Sequence, residues 1–102
     1  MKITFSSTAK TSLEEIILFL KRKWTQREIN VLKNDIKHFR KTINEGLIIH
    51  QSLEKFPKIK FTLIGKKQVK IFYEVKENEI LIKLFWHCKQ NPKKLSKLLK
   101  QP

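Results

Sequence analysis

Cysteine is nearly absent: Cys88 stands alone, so no internal disulfide can form and no thiolate cluster is available for zinc. Two glycines and three prolines in 102 residues leave little room for flexible linkers, and the length suits one domain with one core, residues 1–102. No apolar run approaches the roughly eighteen residues that a membrane span requires, and residues 1–5 are not followed by the apolar stretch of a secretion signal. A cytoplasmic protein with no membrane partner is the expectation. Enzyme signatures are missing too. The chain has no glycine-rich phosphate loop, no G-x-S-x-G elbow and no pair of histidines at helical spacing. Its carboxylates are scattered over turns and helix surfaces, so paired-carboxylate chemistry has no candidate, and no cofactor or metal site is expected. His50 has no ligand partner at a suitable spacing and reads as a surface histidine.

Acidic residues are the largest deficit. Nine Asp and Glu stand against 23 Lys and Arg, a formal net charge of +14, and none occurs after Glu79. Such a charge attracts polyanions at long range and carries self-repulsion that a partner can relieve. It points to nucleic acid, an acidic protein, or both; a lysine bias inherited from an AT-rich coding sequence is the plain alternative. Arginine is itself scarce (Arg22, Arg27 and Arg40), so the charge sits on single points rather than on planar forks that read bases and phosphates. Hydrophobic residues at 40% nevertheless place the chain among folded proteins.

What is present is clear periodicity, most of all in residues 66–91. Two β-branched and aromatic runs flank the polar break Lys76-Glu77-Asn78, the form of a β-hairpin. Strict alternation puts Val69, Ile71, Tyr73 and Val75 with Ile80, Ile82, Leu84, Trp86 and Cys88 on one apolar face. Tyr73 and Cys88 then read as core, Cys88 as a small buried hydrophobe. The other face carries Lys70, Phe72 and Glu74 with Leu81, Lys83, Phe85, His87 and Lys89. Being apolar and basic together, it is either covered by the protein itself or kept for a partner.

The rest of the chain supplies the cover. Residues 2–5 alternate as a short strand. Ser6, Ser7 and Thr8 offer N-caps, as does Ser12 with Glu15, to a helix over residues 8–23 with Leu13, Ile16, Ile17, Leu20 and Trp24 in one stripe. Thr25 and Glu28 have the spacing of a capping box. Ile29, Leu32, Ile36, Phe39 and Ile43 then line a second helix, which Gly46 ends. The near-absence of a connection makes these an antiparallel hairpin; a coiled-coil dimer is the other use of so regular a stripe. Residues 47–57 are a mixed connection with a helical turn around Ser52-Leu53-Glu54. Ile59, Phe61 and Leu63 form a strand, turned by Gly65-Lys66. Asn91-Pro92 opens a last short helix bearing Leu95, Leu98 and Leu99. The expected fold is α+β: an antiparallel sheet of an N-terminal strand plus a three-strand meander, packed against an N-terminal helical hairpin, with a short C-terminal helix.

The order and spacing of these motifs resemble the RelE/ParE toxin superfamily of bacterial type II toxin–antitoxin modules. The matching residues are Ser6-x-x-Ala9, Leu13-Glu14-Glu15-Ile16, the strand from Val69 to Val75 with its basic residue before aliphatic-x-Tyr, residues 80–89 ending in x-His-x-basic, and Gln90-Asn91-Pro92-Lys93-Lys94-Leu95. The resemblance covers nearly the whole chain. It implies a growth-inhibiting, plasmid-stabilising toxin neutralised by a cognate acidic antitoxin in a hetero-oligomer. RelE-like members cleave messenger RNA on the ribosome with basic residues on the central strands and a C-terminal Tyr or His; ParE-like members poison DNA gyrase and lack that set. Carried over by position, a nuclease would use Lys70, His87 and Lys89, with His87 as general acid or base. The binding residues implied are Lys67, Lys70, Lys83, His87, Lys89, Lys93 and Lys94. Lys70 and Lys89 stand where RelE-like toxins place arginine, and Leu95 falls close to the tyrosine position. These departures favour a ParE-like toxin, with a RelE-like endonuclease and a non-toxic nucleic-acid-binding module as the alternatives. A solvated sheet face is the reading of His87 and its lysines that assigns them no function.

Overall fold

The computed structural model describes residues 2–46, 50–90 and 92–100. Their order is β1 (Lys2–Phe5), α1 (Ser7–Leu20), α2 (Gln26–Asn44), β2 (Gln51–Ser52), β3 (Ile59–Ile64), β4 (Val69–Lys76), β5 (Glu79–His87) and α3 (Lys93–Leu99). The fold is α+β, as the periodicity requires.

The helix ends follow local chemistry. Ser6 caps α1 by accepting from the Ala9 amide at 3.0 Å. At α2 both halves of the capping box form: the Glu28 amide donates to Thr25 Oγ1 at 3.4 Å, and the Thr25 amide to Glu28 Oε1 at 3.3 Å. Gly46 takes φ +84° just past the helix, where a side chain would be strained. Helix α1 stops at Leu20, three residues short of the expected end, because the chain tightens there: the Arg22 amide donates to Phe19 O at 3.2 Å and that of Lys23 to Leu20 O at 3.0 Å.

The sheet has five strands in the order β1-β5-β4-β3-β2. It is mixed rather than purely antiparallel, because β1 runs parallel to β5, with Lys2 opposite Glu79 and Phe5 opposite Ile82. The connection between the two strands runs from α1 through β4 and is long enough for the parallel pairing. The fifth strand, β2, replaces the helical turn expected around Ser52; Gln51 and Ser52 pair with Phe61 and Lys60, and the Leu53 amide donates to Ile59 O at 2.9 Å. The expectations for residues 47–49 and for Asn91 as an N-cap lie outside the described residues. Pro92 holds the cap position of α3 without a side-chain hydrogen bond.

Both faces of the sheet are covered. Helices α1 and α2 bury one face through Ile16, Leu20, Leu32, Phe39 and Ile43 against Val69, Ile71, Tyr73, Ile80, Ile82 and Phe85. The apolar stripe of α2 is therefore used within the chain. The second face is closed by α3 and the segment before β3: Leu95, Leu98, Leu99, Leu53 and Phe56 pack on Ile59, Phe61, Phe72, Leu84 and Trp86. No described helix is long and apolar enough to cross a membrane.

Candidate functional site

The alternation read from the sequence breaks at one residue. Phe72 pairs with Leu84 and Tyr73 with Ile82, so Lys83 is an extra residue in β5, a β-bulge. One inserted residue inverts the side-chain parity of everything after it. Leu84 and Trp86 fall on the α3 face, while Phe85 and His87 turn to the α1 face. Cys88, placed by alternation in the core, is exposed instead.

The bulge is held from outside the sheet. Where β1 ends, two hydroxyls of the α1 region take over the open side of β5. Ser6 Oγ donates to Lys83 O at 3.0 Å, and Ser12 Oγ accepts from the Phe85 amide at 3.0 Å while donating to Ala9 O at 2.9 Å. The backbone groups released by the irregularity thus have partners, as buried main-chain groups require.

The bulge separates the residues that sequence reasoning had grouped. Lys70 pairs with Trp86 on the α3 face, and its Nζ lies 5.4 Å from the centroid of the Phe61 ring. Lys83 is on that face too, 3.8 Å from Glu74 Oε2. His87 pairs with Val69 and lies across the sheet from Lys70, its ring meeting Phe19 of α1 edge-on at 5.4 Å. Lys70, His87 and Lys89 therefore do not surround one point. Of the three, only His87 and Lys89 meet, in a cleft of about 320 Å³ between α1 and the end of β5, lined also by Glu15, Ile16, Phe19 and Gln90. Lys67 is exposed on the β3–β4 turn, where Gly65, Lys66 and Lys67 all take left-handed φ of 58°, 57° and 66°. Lys93 and Lys94 are exposed at the start of α3.

The state of His87 is defined by its contacts. It is only 4% exposed, and its Nδ1 accepts from the Lys89 amide at 3.3 Å. Burial first, and then the charge of Lys89, hold its pKa below the ordinary histidine value. The neutral ring with Nδ1 engaged carries its proton on Nε2, so it can donate to a group in the cleft but has no free lone pair with which to accept a proton.

A second polar pair was missed by sequence reasoning. His50 is half-buried rather than on the surface, and its Nδ1 lies 2.6 Å from the Tyr73 hydroxyl. Burial pushes the Tyr73 pKa up to about 12, so the phenol keeps its proton and donates it to the imidazole. Phe39 packs edge-on against Tyr73 at 5.2 Å. Tyr73 is core, as its alternation predicts; nothing near His50 in the sequence points to a partner 23 positions away. Among the described residues no group of three or more His, Cys, Asp or Glu could hold a metal ion.

No protein-family profile and no curated protein sequence matches this chain. Solved structures do share its fold. A copper-bound mutant toxin from Helicobacter pylori superposes with a TM-score of 0.61 at 13% identity, over 86% of this chain and 94% of that one. A conserved hypothetical protein of Helicobacter pylori, solved in solution, gives 0.56 at 14% identity, over 88% and 97%. At these identities the likeness establishes a common fold.

Proposed function

We propose that the protein is the toxin of a toxin–antitoxin pair of the RelE/ParE kind, that an acidic antitoxin neutralises it, and that it acts by binding its target rather than by cutting RNA. The shared fold with a bacterial toxin and the net charge of +14 support the first two parts. The observation that carries the third is the bulge at Lys83, which puts Lys70 and His87 on opposite faces of the sheet. A phosphodiester held by Lys70 would be out of reach of the His87 imidazole, and Leu95 offers no proton where a tyrosine would be needed. A ParE-like action on DNA gyrase or replication is the reading left. The RelE-like alternative draws on one feature: two of its three residues, His87 and Lys89, line the same cleft.

Inducible expression in a bacterial host tests these readings together. Arrested growth, DNA-damage signalling and intact messages are expected, and the arrest should persist in His87→Gln. Truncated messages that vanish with His87→Gln would replace the binding mechanism with endonuclease activity. Undisturbed growth would remove the toxin reading altogether.

A further inference from the structure

On the sheet face that α3 covers, one cation lacks a close partner. Lys83, the bulge residue of β5, has a side chain only 12% exposed, and its Nζ makes no hydrogen bond among the described residues. Its charged neighbour, Glu74 Oε2, lies at 3.8 Å, beyond hydrogen-bond reach. An ammonium group carries three donors, and withdrawing it from water without partners is costly. Such a group is poised for an anion that comes closer than Glu74 does.

Lys83 lines a pocket of about 490 Å³ between the segment before β3 and the end of α3. Lysines from two other parts of the chain line it as well: Lys55 and Lys58 before β3, and Lys100 after α3. These three are exposed and make no ion pair among the described residues. Against the four ammonium groups stands one carboxylate, that of Glu74. Ile59 and Leu99, both buried, tie the walls to the core beneath α3, so the segments that carry the lysines are held in place. Of the basic residues that the family resemblance implicates, only Lys83 lines this pocket, and the cleft of His87 and Lys89 is separate from it.

We infer that this pocket is a binding site for a compact oligophosphate, either an inorganic chain or the phosphate tail of a nucleotide. Lys83 supplies the inner ammonium group, and Lys55, Lys58 and Lys100 surround the outer phosphates. Lysine suits this task, because a point charge on a flexible stem can follow phosphate oxygens without the planar geometry that an arginine fork demands. The volume is within the range of small-molecule sites. A nucleic-acid strand spreads one charge per phosphate along its backbone, whereas an oligophosphate condenses several into one pocket, which is the distribution that these lysines match. Phe56 and Pro57 give the rim an apolar surface on which a base could rest. The inference is independent of the proposed toxin role.

The test is calorimetric titration of the full chain with tripolyphosphate at about 0.15 M ionic strength, beside orthophosphate and magnesium-free ATP. One saturable site is expected for tripolyphosphate, with orthophosphate at least roughly tenfold weaker because it meets fewer lysines at once. Lys55→Gln with Lys58→Gln should weaken tripolyphosphate binding at least roughly tenfold. The same loss of charge on α1, Lys10→Gln with Lys21→Gln, should change it little. All four positions are exposed, and circular dichroism confirms that each variant is folded. Lys83→Gln should weaken binding as well, and the exposed pair decides the matter if that variant does not fold. ATP binding tighter than tripolyphosphate assigns the site to a nucleotide; ATP binding no tighter assigns it to the inorganic chain. Equal loss from both pairs, several ligands per chain, no tripolyphosphate binding, or a single-stranded oligonucleotide bound in its place would overturn the assignment.

Discussion

Ser12 shows how much a single hydroxyl can connect. It sits on α1 in a position that, from the sequence, suits a capping box with Glu15, yet its oxygen serves a strand 73 residues away. It accepts from the Phe85 amide at the bulge and donates to Ala9 O. Ser12→Ala would leave a strand amide without a partner in a part-buried position, and the expected loss is about 1–3 kcal/mol of unfolding free energy, read from urea denaturation. A change within experimental error would mean that water replaces the hydroxyl. His50 and Tyr73 teach the same lesson: each is locally uninformative, and the bond between them exists only because β4 and the segment before β2 meet.

At the scale of elements, local readings succeeded at α2 and failed around Ser52, where the expected helical turn is strand β2. The capping box of α2 is a relation over three residues, and both of its hydrogen bonds form. Thr25→Ala removes one acceptor and is expected to cost about 1 kcal/mol, seen as a lower thermal midpoint with the helix otherwise retained. An unchanged midpoint would show the cap to be dispensable. The hairpin's strands, Val69–Lys76 and Glu79–His87, also agree with their pattern. The side-chain faces agree only as far as Lys83. Beyond it Leu84, Trp86 and Cys88 leave the core face that alternation assigned them, and Phe85 and His87 replace them there. No residue type in Ile82-Lys83-Leu84-Phe85 marks a bulge, since all four suit a regular strand as well.

For the whole molecule, the two part-buried imidazoles link folding to pH. Burial lowers both, assisted by Lys60 at His50 and by Lys89 at His87. Near and below the ordinary histidine pKa the unfolded chain therefore binds more protons than the folded one. Their contribution to stability is complete above that value and is lost as pH falls through it toward the lower folded values. The urea midpoint is expected to drop between about pH 8 and about pH 5, and the slope to flatten in the double variant His50→Asn, His87→Asn. A midpoint independent of pH in that window would contradict the assignment of both rings as neutral. The net charge of +14 acts at the same scale, since it selects the class of partner and leaves the place of contact open.

The sequence by itself determined the α+β class, the order of its main elements and the N-cap of its second helix, because helical and strand periods and capping bonds are interactions between residues a few positions apart. Tertiary structure decided the rest: the parallel pairing of β1 with β5, the bulge at Lys83 and the face on which His87 lies. Each of these depends on distant segments being brought together, and one unpaired residue in β5 was enough to move the imidazole across the sheet from Lys70.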